Sequence, residues 1–278
     1  MTMTPDMQTL ADISGTVVLA GAGKMGSALL TGWLARGLDP KRVIVIEPYP
    51  SDGIRSLAAG GIRLNQAAEE IGAAAALVIA VKPQTFGDAA PALRPLVGSP
   101  TLVVSIMAGT TIAMLDTVCG GNIVRAMPNT PAAIGRGMTV AVAAKGVNEK
   151  QRTMADALLR ATGAVEWIDD EALMDAATAV SGSGPAYVFL LAEALAHAGE
   201  KAGLPKALAA KLARETVSGA GELLYRSDLP ASKLRENVTS PNGTTAAALK
   251  ILMGENGFDR LLEEAVAAAT RRGKELAG

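Results

Sequence analysis

The residues this chain lacks exclude more chemistry than those it has suggest. Its 278 residues include one cysteine, Cys119, and one histidine, His197. A single cysteine cannot form an intramolecular disulfide, which fits a reducing compartment. A serine nucleophile needs a histidine base. His197 lies within an Ala/Leu-rich helical pattern outside every motif, so it reads as a surface or interface residue. Cys119 and His197 do not sit at ligand spacing, and no metal site is expected. Aromatic residues make up 3% of a chain that is 49% hydrophobic. Alanine, valine, leucine and methionine must therefore build the core. Lys+Arg total 26 against 27 for Asp+Glu, and neither sign forms a block. That balance argues against a nucleic-acid partner. The longest apolar stretch considered, from Ile71 to Val81, is too short to span a bilayer. Met1 to Gly15 carries Asp6 and Asp12 and lacks the basic and apolar regions of a signal peptide. A cytoplasmic protein with no membrane partner is expected.

What is present alternates. Short apolar runs recur at Thr16–Ala20, Val43–Ile46, Leu77–Val81, Leu102–Ile106, Ile123–Ala126, Thr139–Ala144 and Val165–Ile168. Most are continuously apolar, as expected of parallel strands covered on both faces. Helical patterns separate many of them, at Met25–Arg36, Ser51–Ala59, Gln66–Ile71, Thr111–Val118 and Glu149–Ala161. This repetition predicts an α/β fold with a Rossmann-like doubly wound sheet. After Asp170 strand signals vanish. Glu171–Val180, Ala186–Ala198, Lys206–Tyr225, Ala246–Met253 and Phe258–Leu276 all read as helices. The boundary is set near residue 168, giving domains 1–168 and 169–278. An alanine-rich helical half of that size would struggle to fill its own core. A second copy of the chain is the expected cover, so a homo-oligomer is predicted.

The run ending at Ala20 opens into Gly21-Ala22-Gly23-Lys24-Met25-Gly26 and then a helix. In the spacing G-x-G-x-x-G, the first glycine allows a tight turn. The second admits a pyrophosphate to the backbone, and the third lets helix pack on sheet. The phosphates then meet free N–H groups and the dipole at the helix start. Glu47 ends the second run, where an acid accepts hydrogen bonds from the ribose hydroxyls of NAD and repels a 2′-phosphate. Ser51 and Arg55 follow and offer an alternative recipient for phosphate. Val81, Lys82 and Pro83 follow one run, and Met107, Ala108 and Gly109 another. Both segments lie at carboxyl ends of expected strands, where such sheets bind ligands.

Two further segments are rich in small and polar residues. Ser181-Gly182-Ser183-Gly184-Pro185-Ala186-Tyr187 reads as a loop entering a helix, suited to close packing against a ligand or a neighbouring helix. Ser240-Pro241-Asn242-Gly243-Thr244-Thr245 precedes Ala246-Ala247-Ala248-Leu249. Its hydroxyls and backbone N–H groups can grip a carboxylate without an arginine. The alternative is an ordinary helix cap by Ser240 or Thr244.

Taken together, these motifs resemble the pyrroline-5-carboxylate reductase family. The likeness runs from Val17 to about Leu276. It is carried in order by GAGKMG from Gly21, AVKPQ from Ala80, RAMPNTP from Arg125, SGSGPAY from Ser181 and ENVTSPNGTTAAAL from Glu236. The last two are specific to the family. The resemblance implies reduction of L-1-pyrroline-5-carboxylate to L-proline by NADPH or NADH, the last step of proline biosynthesis. It implies a Rossmann-like domain followed by an all-helical dimerisation domain whose helices interleave with a second subunit, the homodimers often forming a ring. The active site would lie between the nicotinamide of one subunit and the helical domain of the other. Ala20, Gly21, Ala22, Gly23, Lys24, Met25 and Gly26 match the pyrophosphate loop. Ala80, Val81, Lys82 and Pro83, with Ile106, Met107 and Ala108, match later cofactor-contacting loops. Asn237 matches a residue near the nicotinamide. Ser240, Gly243, Thr244 and Thr245 match the substrate-binding segment, with Thr245 facing the ring nitrogen as the catalytic hydroxyl. Glu171 matches an acid near the bound amino acid. Glu47-Pro48 stands where NADPH-preferring members often carry a small hydroxyl residue. Asn242 and Thr244 stand where glycine and alanine are frequent.

Two other functions fit the same architecture. A β-hydroxyacid dehydrogenase would need a catalytic lysine, and Lys201, Lys206 and Lys211 lie near helix ends or on a polar face. A non-catalytic dinucleotide sensor shares the fold, but the intact segment Ser240–Thr245 argues against it.

Overall fold

The computed structural model describes residues 9–277. Met1 to Gln8, on which part of the signal-peptide expectation rests, lie outside the described residues. Two compact units make up the chain. One runs to Gly182 and includes the chain end from Arg271; the other is Ser183–Thr270. The sequence set the boundary near residue 168, at the end of the last strand. Residues 169–182 instead pack with the sheet unit, and Met174 is buried there with Val140 and Val142.

The first unit is built on one sheet. Its strands are β1 (Val17–Ala20), β2 (Val43–Ile46), β3 (Arg63–Leu64), β4 (Ala76–Ile79), β5 (Leu102–Ser105), β6 (Asn122–Met127), β7 (Gly137–Ala143) and β8 (Gly163–Trp167). They lie in the order β3-β2-β1-β4-β5-β6-β7-β8. All neighbours are parallel except β6 and β7. The helices of this unit are α1 (Lys24–Ala35), α2 (Asp52–Ala59), α3 (Ala68–Ile71), α4 (Pro83–Leu93), α5 (Ile112–Val118), α6 (Glu149–Arg160) and α7 (Met174–Ala177). The doubly wound sheet expected from the alternating pattern is present. Two elements gave no clear sequence signal. Strand β3 is only two residues long. Helix α4 contains Gly87 and Pro91, which interrupt a helical pattern. Phe86, Ala90 and Leu93 nevertheless share one face at helical spacing and bury against the sheet.

Strand residues alternate between two cores. Val17 and Leu19 join Leu29, Leu30, Trp33 and Leu158 on one face. Val18 and Ala20 join Leu77, Phe86 and Leu115 on the other. With both faces covered, every residue of β1, β4 and β5 is buried, which explains why all but Ser105 are apolar.

The second unit is helical: α8 (Gly184–Lys201), α9 (Lys206–Arg226), α10 (Ala231–Asn237), α11 (Thr244–Leu252) and most of α12 (Phe258–Ala277). Helices α8 and α9 pack together, and a Cβ on Gly199 would stand 3.2 Å from Ala209 Cβ. Ala209 and Ala213 are the buried hydrophobic residues found in this unit. By contrast Phe189 is 67% exposed and Ile251 78% exposed, with many leucines alongside. Such faces need a partner to cover them. The stretch Glu171–Lys201 is also long and apolar enough to cross a membrane by length and composition, so Ile71–Val81 is not the longest apolar stretch.

Trp33 anchors α1 to α6. It is fully buried, and its indole Nε1–H donates to the Leu158 carbonyl oxygen at 2.8 Å. Trp33→Ala should cost about 3–5 kcal/mol through the cavity it leaves. Trp33→Phe, which keeps most of the packing, should cost less than half of that. Denaturant unfolding checks this, and equal losses for the two variants would contradict the packing role.

Candidate active site

Chain crowding fixes the turn after β1. Gly21 has φ of 91°, and a Cβ there would stand 2.8 Å from the Ala80 and Val81 backbone. A Cβ on Gly26 would strike the Gly21 carbonyl oxygen. Gly23 is different, because nothing lies within 4 Å of where its Cβ would be. Two glycines are thus required by the protein itself, and one opens onto free space. Gly23 caps α1 without a side-chain hydrogen bond, so no side chain caps the first N–H groups. Ser27 Oγ donates to the Ala22 carbonyl oxygen at 2.7 Å. These are the three glycine roles of a dinucleotide cradle.

Neighbouring strands complete the rim. Gly21 N–H donates to the Ile46 carbonyl oxygen, and Ala80 N–H to that of Ala20. Ala80 and Val81 follow β4, Lys82 caps α4, and Pro83 opens it. Ile106 N–H extends the sheet pairing to the Ile79 carbonyl oxygen. Met107 is buried, and its N–H donates to Ser105 Oγ at 3.3 Å. Ala20, Gly21–Gly26, Ala80–Pro83 and Ile106–Ala108 therefore gather at the carboxyl ends of β1, β4 and β5. Here β1 lies between β2 and β4, where the strand order reverses.

Glu47 reaches this loop directly. Its Oε2 accepts the Ala22 N–H at 2.8 Å, and its Oε1 accepts the Tyr49 N–H at 3.0 Å. Asn65, which drew no attention in the sequence, holds the Glu47 backbone from the end of β3.

Glu171 has a structural task that its sequence did not show. Its Oε1 accepts Arg125 Nη1 at 2.7 Å and the Ile112 N–H at 2.9 Å. The Arg125 side chain is 5% exposed, so this carboxylate supplies the counter-charge for a buried cation. Nearby, Asn129 accepts the Met138 N–H and donates to the Ser181 carbonyl oxygen. That links the RAMPNTP and SGSGPAY motifs. Thr178–Gly182 is a π-helix, so Ser181 and Gly182, expected in a loop, are helical; such turns favour functional sites. Burial pushes the Cys119 thiol up against the opposing pull of Arg94, keeping it neutral and poorly nucleophilic. No group of three or more His, Cys, Asp or Glu side chains that could hold a metal occurs among the described residues.

In the helical unit, Ser240–Thr245 forms a tight turn. The Gly243 N–H donates to the Ser240 carbonyl oxygen at 3.1 Å, and Asn242 has φ of 58°. Gly243 caps α11 with no side-chain hydrogen bond. Neither Ser240 nor Thr244 caps it; Thr244 is the first helical residue and Thr245 the second. Asn237 closes α10 and is exposed.

Comparison with known proteins accounts for both units. The family model for pyrroline-5-carboxylate reductase dimerisation matches residues 171–276. The model for NADP oxidoreductase, coenzyme F420-dependent, matches residues 16–109. The pyrroline-5-carboxylate reductase of Pseudomonas aeruginosa is 40% identical over 266 residues, covering 94% of this chain and 96% of its own. The chain belongs to the pyrroline-5-carboxylate reductase family. The enzyme of that name from Synechocystis is also 40% identical, over 263 residues. Among solved structures, that of Coxiella burnetii has a TM-score of 0.87 and 34% identity, covering 96% of this chain and 100% of its own. The Plasmodium falciparum structure, with NADP bound, has a TM-score of 0.78 and 32% identity over 95% of this chain and 99% of its own. Membership makes the protein an oxidoreductase that uses NAD(P)H, and the open cradle at Gly23 fits that group. The exposed apolar helices of the second unit fall within the segment matched by the dimerisation model, which supports a homo-oligomer.

Removing one partner of the Arg125–Glu171 pair should be costly. Glu171→Ala leaves a buried guanidinium without its counter-charge, at an expected loss of about 3 kcal/mol or more. Glu171→Gln, which can still accept both hydrogen bonds, should lose less. Urea unfolding of the two variants measures it, and a silent Glu171→Ala would show that the pair holds nothing.

Proposed function

We propose that the protein reduces L-1-pyrroline-5-carboxylate to L-proline with NADH or NADPH, as the last step of proline biosynthesis. The observation that carries this is the likeness, along nearly the whole chain, to relatives bearing that activity's name. The uncapped start of α11, with two threonines in its first turn, supports it as a carboxylate site. The glycine loop, Glu47, Ala80–Pro83 and Ile106–Ala108 hold the dinucleotide. When bound, the nicotinamide supplies the hydride.

The remaining work falls to binding and orientation. A protonated cyclic imine is already electrophilic at the carbon that is reduced, so no strong general acid is obligatory. Ser240, Gly243 and Thr244 hold the substrate carboxylate with hydroxyl and N–H donors at a positive helix end. The Thr245 hydroxyl orients the ring nitrogen, and Glu171 stands near the bound amino acid. Rate enhancement comes from orientation and fixed electrostatics. The helical domains of two copies interleave, covering the exposed apolar faces, and the dimers assemble into a ring. The enzyme works in the cytoplasm.

The test is coenzyme oxidation with racemic pyrroline-5-carboxylate, run with NADH and NADPH in parallel. Turnover with either is expected. Thr245→Ala should lower kcat roughly a hundredfold while the coenzyme Kd stays near that of the wild type. No turnover from folded protein that binds coenzyme would overturn the assignment. Wild-type turnover by Thr245→Ala would remove the threonine from its role.

A further inference from the structure

Glu47, the acid proposed to meet the coenzyme ribose, is held by a neighbour outside the motifs that carry the resemblance. Asn65 stands just past β3 with φ of 53°, in the left-handed region that asparagine tolerates. Its N–H donates to the Val45 carbonyl oxygen at 2.8 Å. Its side-chain amide clamps both polar groups of the Glu47 backbone. Oδ1 accepts the Glu47 N–H at 2.8 Å, and Nδ2 donates to the Glu47 carbonyl oxygen at 2.9 Å. The side chain above that backbone is held as well, Oε2 by Ala22 N–H and Oε1 by Tyr49 N–H.

Glu47 therefore cannot swing aside without giving up hydrogen bonds. Each carboxylate oxygen accepts one N–H and keeps a second lone pair, which suits a ribose diol with two hydroxyl donors. A 2′-phosphate in the same place would set negative charge against a carboxylate that cannot retreat. A free glutamate at a strand end would turn outward and admit it. Arg63 in β3 is the rival reader of a phosphate; its Nη1 donates to Gln66 Oε1 at 3.1 Å, and its Nε is buried with no hydrogen-bond partner.

Resting on the dinucleotide role proposed for the Gly21–Gly26 loop, we infer that Asn65 is a positioning residue for coenzyme choice. It fixes Glu47 to favour NADH over NADPH. Asn65→Gly keeps the left-handed backbone and deletes the clamp. Glu47→Gln keeps the shape and removes the charge. Calorimetric titration of the folded, full-length protein with each coenzyme gives the Kd values. Wild type should bind NADH about tenfold or more tightly than NADPH, the worth of one charge-assisted hydrogen bond. Asn65→Gly should weaken NADH by about tenfold and tighten NADPH, with KM for NADH rising in step. Glu47→Gln should tighten NADPH. A merely structural Asn65 would weaken both coenzymes alike, and that result overturns the inference. So does a wild type that prefers NADPH. Should Asn65→Gly fail to fold, Asn65→Asp, which keeps the acceptor oxygen and loses the Nδ2 donor, gives the same comparison. Wild type that is folded but binds neither coenzyme would instead sink the dinucleotide role itself.

Discussion

Backbone crowding where β1 turns into α1 is the constraint from which the rest follows. Gly21 lies against the Ala80–Val81 backbone, and Gly26 against Gly21 itself. No side chain fits at either position. The turn in turn brings β1, β2 and β4 together at one edge, through Gly21 to Ile46 and Ala80 to Ala20. It also leaves the first turn of α1 uncapped beside the open space at Gly23. A crevice with donors and no side chains is what an anionic cofactor requires. Stability and binding thus rest on the same few atoms, and a change that relaxed the turn would loosen both.

Charge in the sheet unit is handled by pairing rather than by exclusion. Glu47 is held by N–H donors at the rim of the crevice. Glu171 neutralises Arg125. Both carboxylates follow strands and fasten a loop to the sheet, but they differ in consequence. Glu47 spends its two oxygens on two N–H groups, while a single oxygen of Glu171 meets both a guanidinium and an N–H.

The sheet was legible because strands covered on both faces are mostly apolar, and seven of the eight wrote themselves as apolar runs. Strand β3 was too short to show a period. Helix α4 was hidden by Gly87 and Pro91, although its apolar face at Phe86, Ala90 and Leu93 was there to find. The glycine loop could be read from spacing alone, since its residues are local. Asn65 and the Arg125–Glu171 pair could not, because the partners lie 18 and 46 residues apart and meet only through the sheet. The boundary was placed at the last strand because periodicity changes there. Packing carries the first unit on to Gly182.

The helical unit shows the opposite economy, with few buried side chains and long apolar faces that a second copy would cover. Its uncapped α11 repeats at a smaller scale the device at α1, a helix start kept free of side-chain caps. The central claim is that the turn at Gly21–Gly26 is the coenzyme cradle. Hydrogen exchange of the backbone amides from Ala22 to Ser27, with and without saturating NADH, measures it most directly. The amides at the start of α1 should slow markedly on binding. Unchanged exchange there, while coenzyme is bound elsewhere, would contradict it.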